Sequence, residues 1–125
     1  PVYYVQYAHA RICSVIDQLE ERGLRVSKAV DAPERMLVEV PERTLAVLSS
    51  RYPEVVSSAC VAREPHQVIN YLRELATEFH AYYNAHKMLV DDEALRSARI
   101  TLVRAVRQVL RNGLGLLGIT APSSM

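Results

Sequence analysis

The chain has 125 residues, half of them apolar, with a formal net charge of only +1. That length suits one domain with a real core, and the charge excludes a nucleic-acid binder that works by global basicity. No apolar run approaches the ~20 residues that a membrane-spanning helix needs, and there is no signal-peptide pattern. A cytoplasmic protein with no membrane partner is the expectation. The chain starts at Pro1, directly in helix-forming sequence, and reads as an excised piece of something longer. Thirteen of the fifteen basic residues are Arg, and only Lys28 and Lys87 are Lys. Arg is the better reader of phosphates and bases, although a GC-rich genome gives the same bias.

The first helix is predicted from about Tyr3 to Arg22, stopping at Gly23. On it Val5, Ala8, Ile12, Val15, Ile16 and Leu19 fall on one apolar arc about 100° wide. Tyr4, Tyr7 and Arg11 gather within about 60° on what reads as the opposite, solvent side. Two rings and a guanidinium facing water would offer stacking surface and a planar fork for a phosphate or base. The bland alternative is a second element covering the tyrosines, with Arg11 merely solvated. Leu24 to Val40 reads as a loop or connecting excursion, its patch Met36, Leu37 and Val38 lying on the bundle.

Pro41 opens a short helix to about Arg51, with Glu42 in its first turn. Pro53 opens another to about Arg63, as proline at a first helical turn does. Pro65 starts the longest predicted helix, whose Val68, Leu72, Leu75, Ala76, Phe79 and Tyr83 form a stripe at three- and four-residue steps. Asp91, Asp92 and Glu93 suit the positive N-terminus of the last helix, predicted to run to about Asn112 and end at Gly113. Strand-like alternation is almost absent, so the class is all-α, a helical bundle.

On the last helix Leu95, Ala98, Leu102, Val103, Ala105, Val106, Val109 and Leu110 cover roughly 160°. Arg96, Arg99, Arg104, Arg107 and Arg111 gather within about 140°, a one-sign stripe that points to nucleic-acid or other anion contact. A solvated face is the competing reading. Cys13 and Cys60 have no partner at metal-ligand spacing and are expected as reduced, buried thiols. His9, His66, His80 and His86 show no metal-ligand spacing, so no metal site is expected. Gly113 to Gly118 matches G-x-G-x-x-G but follows a helix, which rules out a dinucleotide fingerprint. No constellation reads as catalytic.

Four blocks together resemble one family. V-Q-Y-A-H-A-R at Val5 to Arg11 is similar to the opening of the C-terminal anticodon-binding domain of arginyl-tRNA synthetases. P-H-Q-V-I-N-Y-L-R-E-L-A-T-E-F-H-A-Y-Y-N at Pro65 to Asn84 resembles that family's central helix, and E-A-L-R-S-A-R-I at Glu93 to Ile100 its D-A-L-R signature. R-A-V-R-Q-V-L-R-N-G-L-G-L-L-G at Arg104 to Gly118, then A-P-S-S-M, resembles its terminus. The resemblance implies a class I synthetase anticodon-binding bundle over residues 1–125, gripping the anticodon stem and loop of arginine tRNA. It also implies a parent arginine–tRNA ligase that uses ATP with magnesium and arginine. The parent's catalytic domain is absent, since H-I-G-H and K-M-S-K-S do not occur here, so this domain is itself non-catalytic and needs no cofactor. Arginine tRNA and the catalytic domain are the implied partners, not DNA.

Position by position, the family's base-contacting aromatics fall on Tyr4 and Tyr7 and on Tyr83, beside Asn84. Met125 matches the terminal Met near the anticodon loop. Arg11, with Arg104, Gln108 and Asn112 on the last helix, would serve backbone or loop contacts, and Arg107 and Arg111 of the arginine stripe would position phosphates. Tyr83 also lies within the apolar stripe and could be core. Three departures stand out: Glu93 where the signature has Asp, Ser123 and Ser124 where the family commonly has an acid-base pair, and a long 23–40 stretch. A helical protein-interaction module, with Tyr4 and Tyr7 as anchors, remains the competing class.

Overall fold

A computed structural model describes residues 2–27 and 33–125, and within these the side chains of all but residues 33 and 34. Six helices follow in order: α1 (Val2–Glu21), α2 (Pro33–Met36), α3 (Val40–Ser50), α4 (Tyr52–Ala62), α5 (His66–Ala85) and α6 (Glu93–Leu116). The described residues contain no strand, in agreement with the all-α expectation. Lys28 and part of the 23–40 stretch lie outside the described residues. Of the remainder, Leu24, Val26 and Leu37 pack partly buried against the core while Val38 is exposed.

The apolar stripes read from sequence do the packing. Val5, Ala8, Ile12, Val15, Ile16 and Leu19 of α1 join Val68, Leu72, Leu75, Ala76 and Phe79 of α5 in one buried cluster. From α6, Val103, Val106 and Leu110 complete it. α1 packs against both α5 and α6, α3 packs against the same pair from elsewhere, and α4 rests on α5. Asp92 caps α6 by accepting from the backbone N–H groups of Ala94 and Leu95, which satisfies two otherwise orphan donors.

α6 runs a turn further than predicted, and at 24 residues it is longer than the 20-residue α5. Gly113 does not stop it. That glycine is buried inside the helix, where an added Cβ would stand 2.6 Å from Leu72 Cδ2, so its role is close approach of α6 to α5. The stop comes at Gly118, with φ +72°, where Ile119 N–H donates to Leu114 O at 2.8 Å. A left-handed residue at this point turns the tail back toward α1.

Three expected surface residues are core instead. Glu42 is fully buried: its Oε1 accepts from Glu39 N–H at 3.1 Å and its Oε2 from Tyr82 Oη at 2.6 Å and Arg99 Nε at 2.9 Å. Arg99 also donates to the Lys87 carbonyl at 2.8 Å. Burial, and then the Glu42 carboxylate, drive the Tyr82 hydroxyl far above its ordinary pKa, so it stays a donor. Buried Arg96 donates to the carbonyls of Arg25, Val90 and Asp91, pinning two connections to α6. The five-arginine stripe is therefore corrected: Arg96 and Arg99 are structural, and Arg104, Arg107 and Arg111 remain outward. Cys13 is buried as expected, but Cys60 is exposed on α4, because only Ala59 of that helix is fully buried.

Removing Arg99 leaves a carboxylate sealed without a counter-charge, which costs about 3–5 kcal/mol. Arg99→Met should lower unfolding stability by that amount in a denaturant titration. Pairing it with Glu42→Leu should restore most of the loss.

Candidate nucleic-acid interface

Tyr4, Tyr7 and Arg11 do not face open water opposite the core. Their shared direction lies only about 100° from the centre of the apolar arc at 100° per residue, which turns them along the flank facing α5. There Tyr4 is 39% exposed while Tyr7 and Arg11 are half-buried. The Arg11 guanidinium carbon sits 4.7 Å from the Tyr7 ring centre and 4.2 Å from that of Tyr83. The cation is thus placed against the negative faces of two rings. Nη2 donates to Tyr7 Oη at 3.1 Å, and Nη1 lies 3.0 Å from His80 Nδ1. Three of the five N–H donors of that guanidinium have no partner among the described residues.

His80 completes the array. Its ring centre is 4.5 Å from Tyr4 and 5.4 Å from Tyr7, stacked on the latter at 23°. Its Nε2 is 3.3 Å from the Tyr4 carbonyl. Because Arg11 can only donate, Nδ1 must accept, and Nε2 therefore carries the proton. Burial first, opposed by the bond to Tyr4 O and assisted by the Arg11 charge, moves the His80 pKa below 6.5.

The tail supplies the remaining wall. Gln6 Nε2 donates to Thr120 O at 3.0 Å, and His9 Nδ1 is 2.8 Å from Pro122 O, so that nitrogen donates. The strap explains why Ala10 is 95% shielded although it projects away from the core arc. Tyr7, Arg11, Ser14, Asp17, Tyr83, Ser124 and Met125 then line an open groove of about 320 Å³. A second recess of about 240 Å³ adjoins it across Tyr83, with Gln18, Arg22, His86 and Lys87 at its rim.

The family model described as DALR anticodon binding domain matches residues 5–125. The chain belongs to this family. It is 65% identical over 127 residues to an arginine–tRNA ligase of Halorhodospira halophila, covering 100% of this chain and 22% of that protein. An arginine–tRNA ligase of Thioalkalivibrio sulfidiphilus is 53% identical over 126 residues, with the same coverage. Arginyl-tRNA synthetase of Thermus thermophilus superposes with a TM-score of 0.80 at 36% identity, covering 98% of this chain and 21% of that one. The chain thus spans about a fifth of the length of the relatives it matches.

Within this DALR domain the predicted site residues separate. Tyr7, Arg11, Tyr83 and Met125 share the groove, and Tyr4 borders it through His80. Tyr83 is both things the sequence left open: it packs partly buried on the core and offers its face to Arg11. Asn84, Arg104, Arg107, Gln108 and Arg111 do not line the groove. Asn84 is exposed one residue beyond Tyr83. Arg107 and Arg111 lie on the His9 side of α1, close enough that both lower the His9 pKa. Arg104 borders a separate recess with Val26, Ser27 and Thr101, and Gln108 donates to Asn112 at 2.8 Å. Gly113 to Gly118 lies in a helix and its cap, and no three metal-ligand side chains cluster among the described residues.

His80 is the member that sequence alone does not single out. Its signal is an imidazole at the rim of the α5 stripe, three residues before Tyr83.

His9 and His80 are both held below the ordinary pKa of 6.5, chiefly by burial. The unfolded chain therefore binds more protons than the folded one just below pH 6.5, and stability falls as pH drops. The slope should reach at most about 1.4 kcal/mol per pH unit for each imidazole. Denaturant midpoints at pH 7.5 and 5.5 measure it, and a flat profile would mean that both rings protonate freely in the folded domain.

Proposed function

We propose that this domain reads the anticodon loop of arginine tRNA for a cytoplasmic arginine–tRNA ligase whose catalytic part lies elsewhere in the parent chain. On this reading that part handles ATP with magnesium and arginine, while the residues here supply tRNA recognition and no chemistry. The observation that carries it is the Arg11 guanidinium, held between two tyrosine rings at a groove wide enough for an unstacked base, with N–H donors to spare.

Single-stranded loops are where RNA bases can be splayed out and read on their edges. Every arginine codon has G in the middle, so every arginine anticodon has C there, and one reader of that base serves them all. Tyr4, Tyr7 and Tyr83 would give stacking surface, and Arg11 would donate to the acceptors of the cytosine edge. Met125 would close the groove from the tail side, and polar groups near Asn84 would meet a neighbouring nucleotide. Arg104, Arg107, Gln108 and Arg111, outside the groove, would position phosphates without reading sequence.

Base stacking on a tyrosine contributes roughly 1–3 kcal/mol. Tyr7→Ala should accordingly weaken binding of arginine tRNA by about one to two orders of magnitude, read by filter binding with helicity checked by circular dichroism. A tRNA lacking the middle C should bind as weakly as the variant does. If the domain instead ignores tRNA and retains a protein partner through Tyr4 and Tyr7, the interaction-module reading gains.

Replacing Arg107 and Arg111 with Ala should lower the slope of log affinity against log salt by ~0.7–0.9 for each phosphate no longer neutralised. Preference for the middle C should stay unchanged. Loss of base preference in that double variant would remove Arg107 and Arg111 from the phosphate role.

A further inference from the structure

We infer that His80 is the positioning residue of the groove: its neutral imidazole, protonated on Nε2 alone, aims the Arg11 guanidinium at the incoming base. This rests on the tRNA reading above and names how the same site sets its geometry. Three independent contacts carry it. Nδ1 accepts from Arg11 Nη1 at 3.0 Å, Nε2–H donates to the Tyr4 carbonyl at 3.3 Å, and the ring stacks on Tyr7.

The physical need is plain from the chemistry of Arg11. An arginine on a helix surface spreads over many rotamers, and each tyrosine face attracts the cation without fixing its rotation in the ring plane. A guanidinium free to rotate offers its donors in no fixed direction. Two hydrogen bonds, from Nη1 to His80 and from Nη2 to Tyr7 Oη, remove that freedom. The remaining donors are then held in fixed directions before any ligand arrives, so binding does not have to order them. His80 can do this only as the Nε2–H tautomer, and the Tyr4 carbonyl selects that tautomer by accepting from Nε2. The backbone of α1 thus orients the α5 imidazole that in turn orients an α1 side chain.

Two amide replacements separate positioning from packing. In His80→Asn the amide oxygen stands near the place of Nδ1 and keeps an acceptor for Arg11. In His80→Gln the longer amide reaches the place of Nε2 and keeps the donor to Tyr4 O. Positioning predicts that His80→Asn binds arginine tRNA within about threefold of the parent chain, while His80→Gln and His80→Phe bind about tenfold more weakly. Preference for the middle C should follow the same order. Equal affinities for the Asn and Gln variants, or a Gln variant that binds better, would overturn the assignment.

Nitrogen-15 correlation spectra of the unmodified chain near pH 7.5 supply a readout that needs neither tRNA nor a folded variant. The expected signature is an unprotonated Nδ1 and a protonated Nε2 on His80, with exchange-slowed Arg11 guanidinium protons. A proton on Nδ1 sinks the inference even if tRNA binds. Absence of tRNA binding with the expected tautomer instead sinks the tRNA reading and leaves the His80–Arg11 link standing.

Discussion

One buried carboxylate constrains the rest of this fold. Glu42 is sealed in the core, and a charge there is tolerated only if its oxygens are fully engaged. Meeting that demand recruits Tyr82 from α5, Arg99 from α6 and the Glu39 N–H from the start of α3. Arg99 then reaches on to the Lys87 carbonyl just past α5. Three helices and a connection are thereby locked at one point. The lock has a directional consequence, because Tyr82 and Tyr83 are adjacent on α5 and project about 100° apart. Fixing Tyr82 against Glu42 sets the rotation of α5 about its axis, and so sets where Tyr83 and His80 meet α1.

From that rotation the groove follows. α5 presents His80 and Tyr83 to the α1 flank that carries Tyr4, Tyr7 and Arg11, and the two sets interlock through ring faces and hydrogen bonds. Gly113 contributes from the other side by letting α6 approach Leu72 of α5 closely. Gly118 then ends α6 where the tail can cross α1 and hook onto Gln6 and His9. The groove is in this way assembled from the first helix, the central helix and the last residues, and no one segment forms it alone.

What the sequence showed was periodicity, and what it hid was which polar groups periodicity would bury. The stripes of α1 and α5 gave the bundle because apolar spacing determines the packed face. Proline openings and glycine stops placed most helix ends within a residue or two. The failures share a cause. Arg99 falls between Val106 and Leu110 on the α6 wheel, about 20° from each, so counting it in an outward, anion-contacting stripe ignored its position in the apolar sector. Glu42 read as an ordinary first-turn acid, and its burial depends on Tyr82 and Arg99, residues 40 and 57 positions away. Gly113 read as a stop because glycine usually is one near a helix end, whereas its reason is a neighbour on another helix. The resemblance to the synthetase family named Tyr4, Tyr7, Tyr83 and Met125. It did not name His80, whose role shows only when α1 and α5 stand side by side.

A net charge of +1 looks poor for an RNA reader, and the groove explains why it suffices for the proposed role. Affinity drawn from a diffuse cationic surface decays steeply with salt and reads no sequence. A single guanidinium clamped between rings works differently. Its charge is delocalised and weakly hydrated, so stacking it on tyrosine costs little desolvation. The same rings that hold it are surfaces on which a neighbouring base can stack, and stacking tolerates salt far better than phosphate contact does. The cost is rigidity: such a reader discriminates only if its donors are fixed in advance. On the proposed reading that fixing falls to a neutral imidazole, because an imidazolium would repel Arg11 and offer it no lone pair. Burying His80 beside a cation serves recognition on that same reading, with acid sensitivity of the fold as its counterpart.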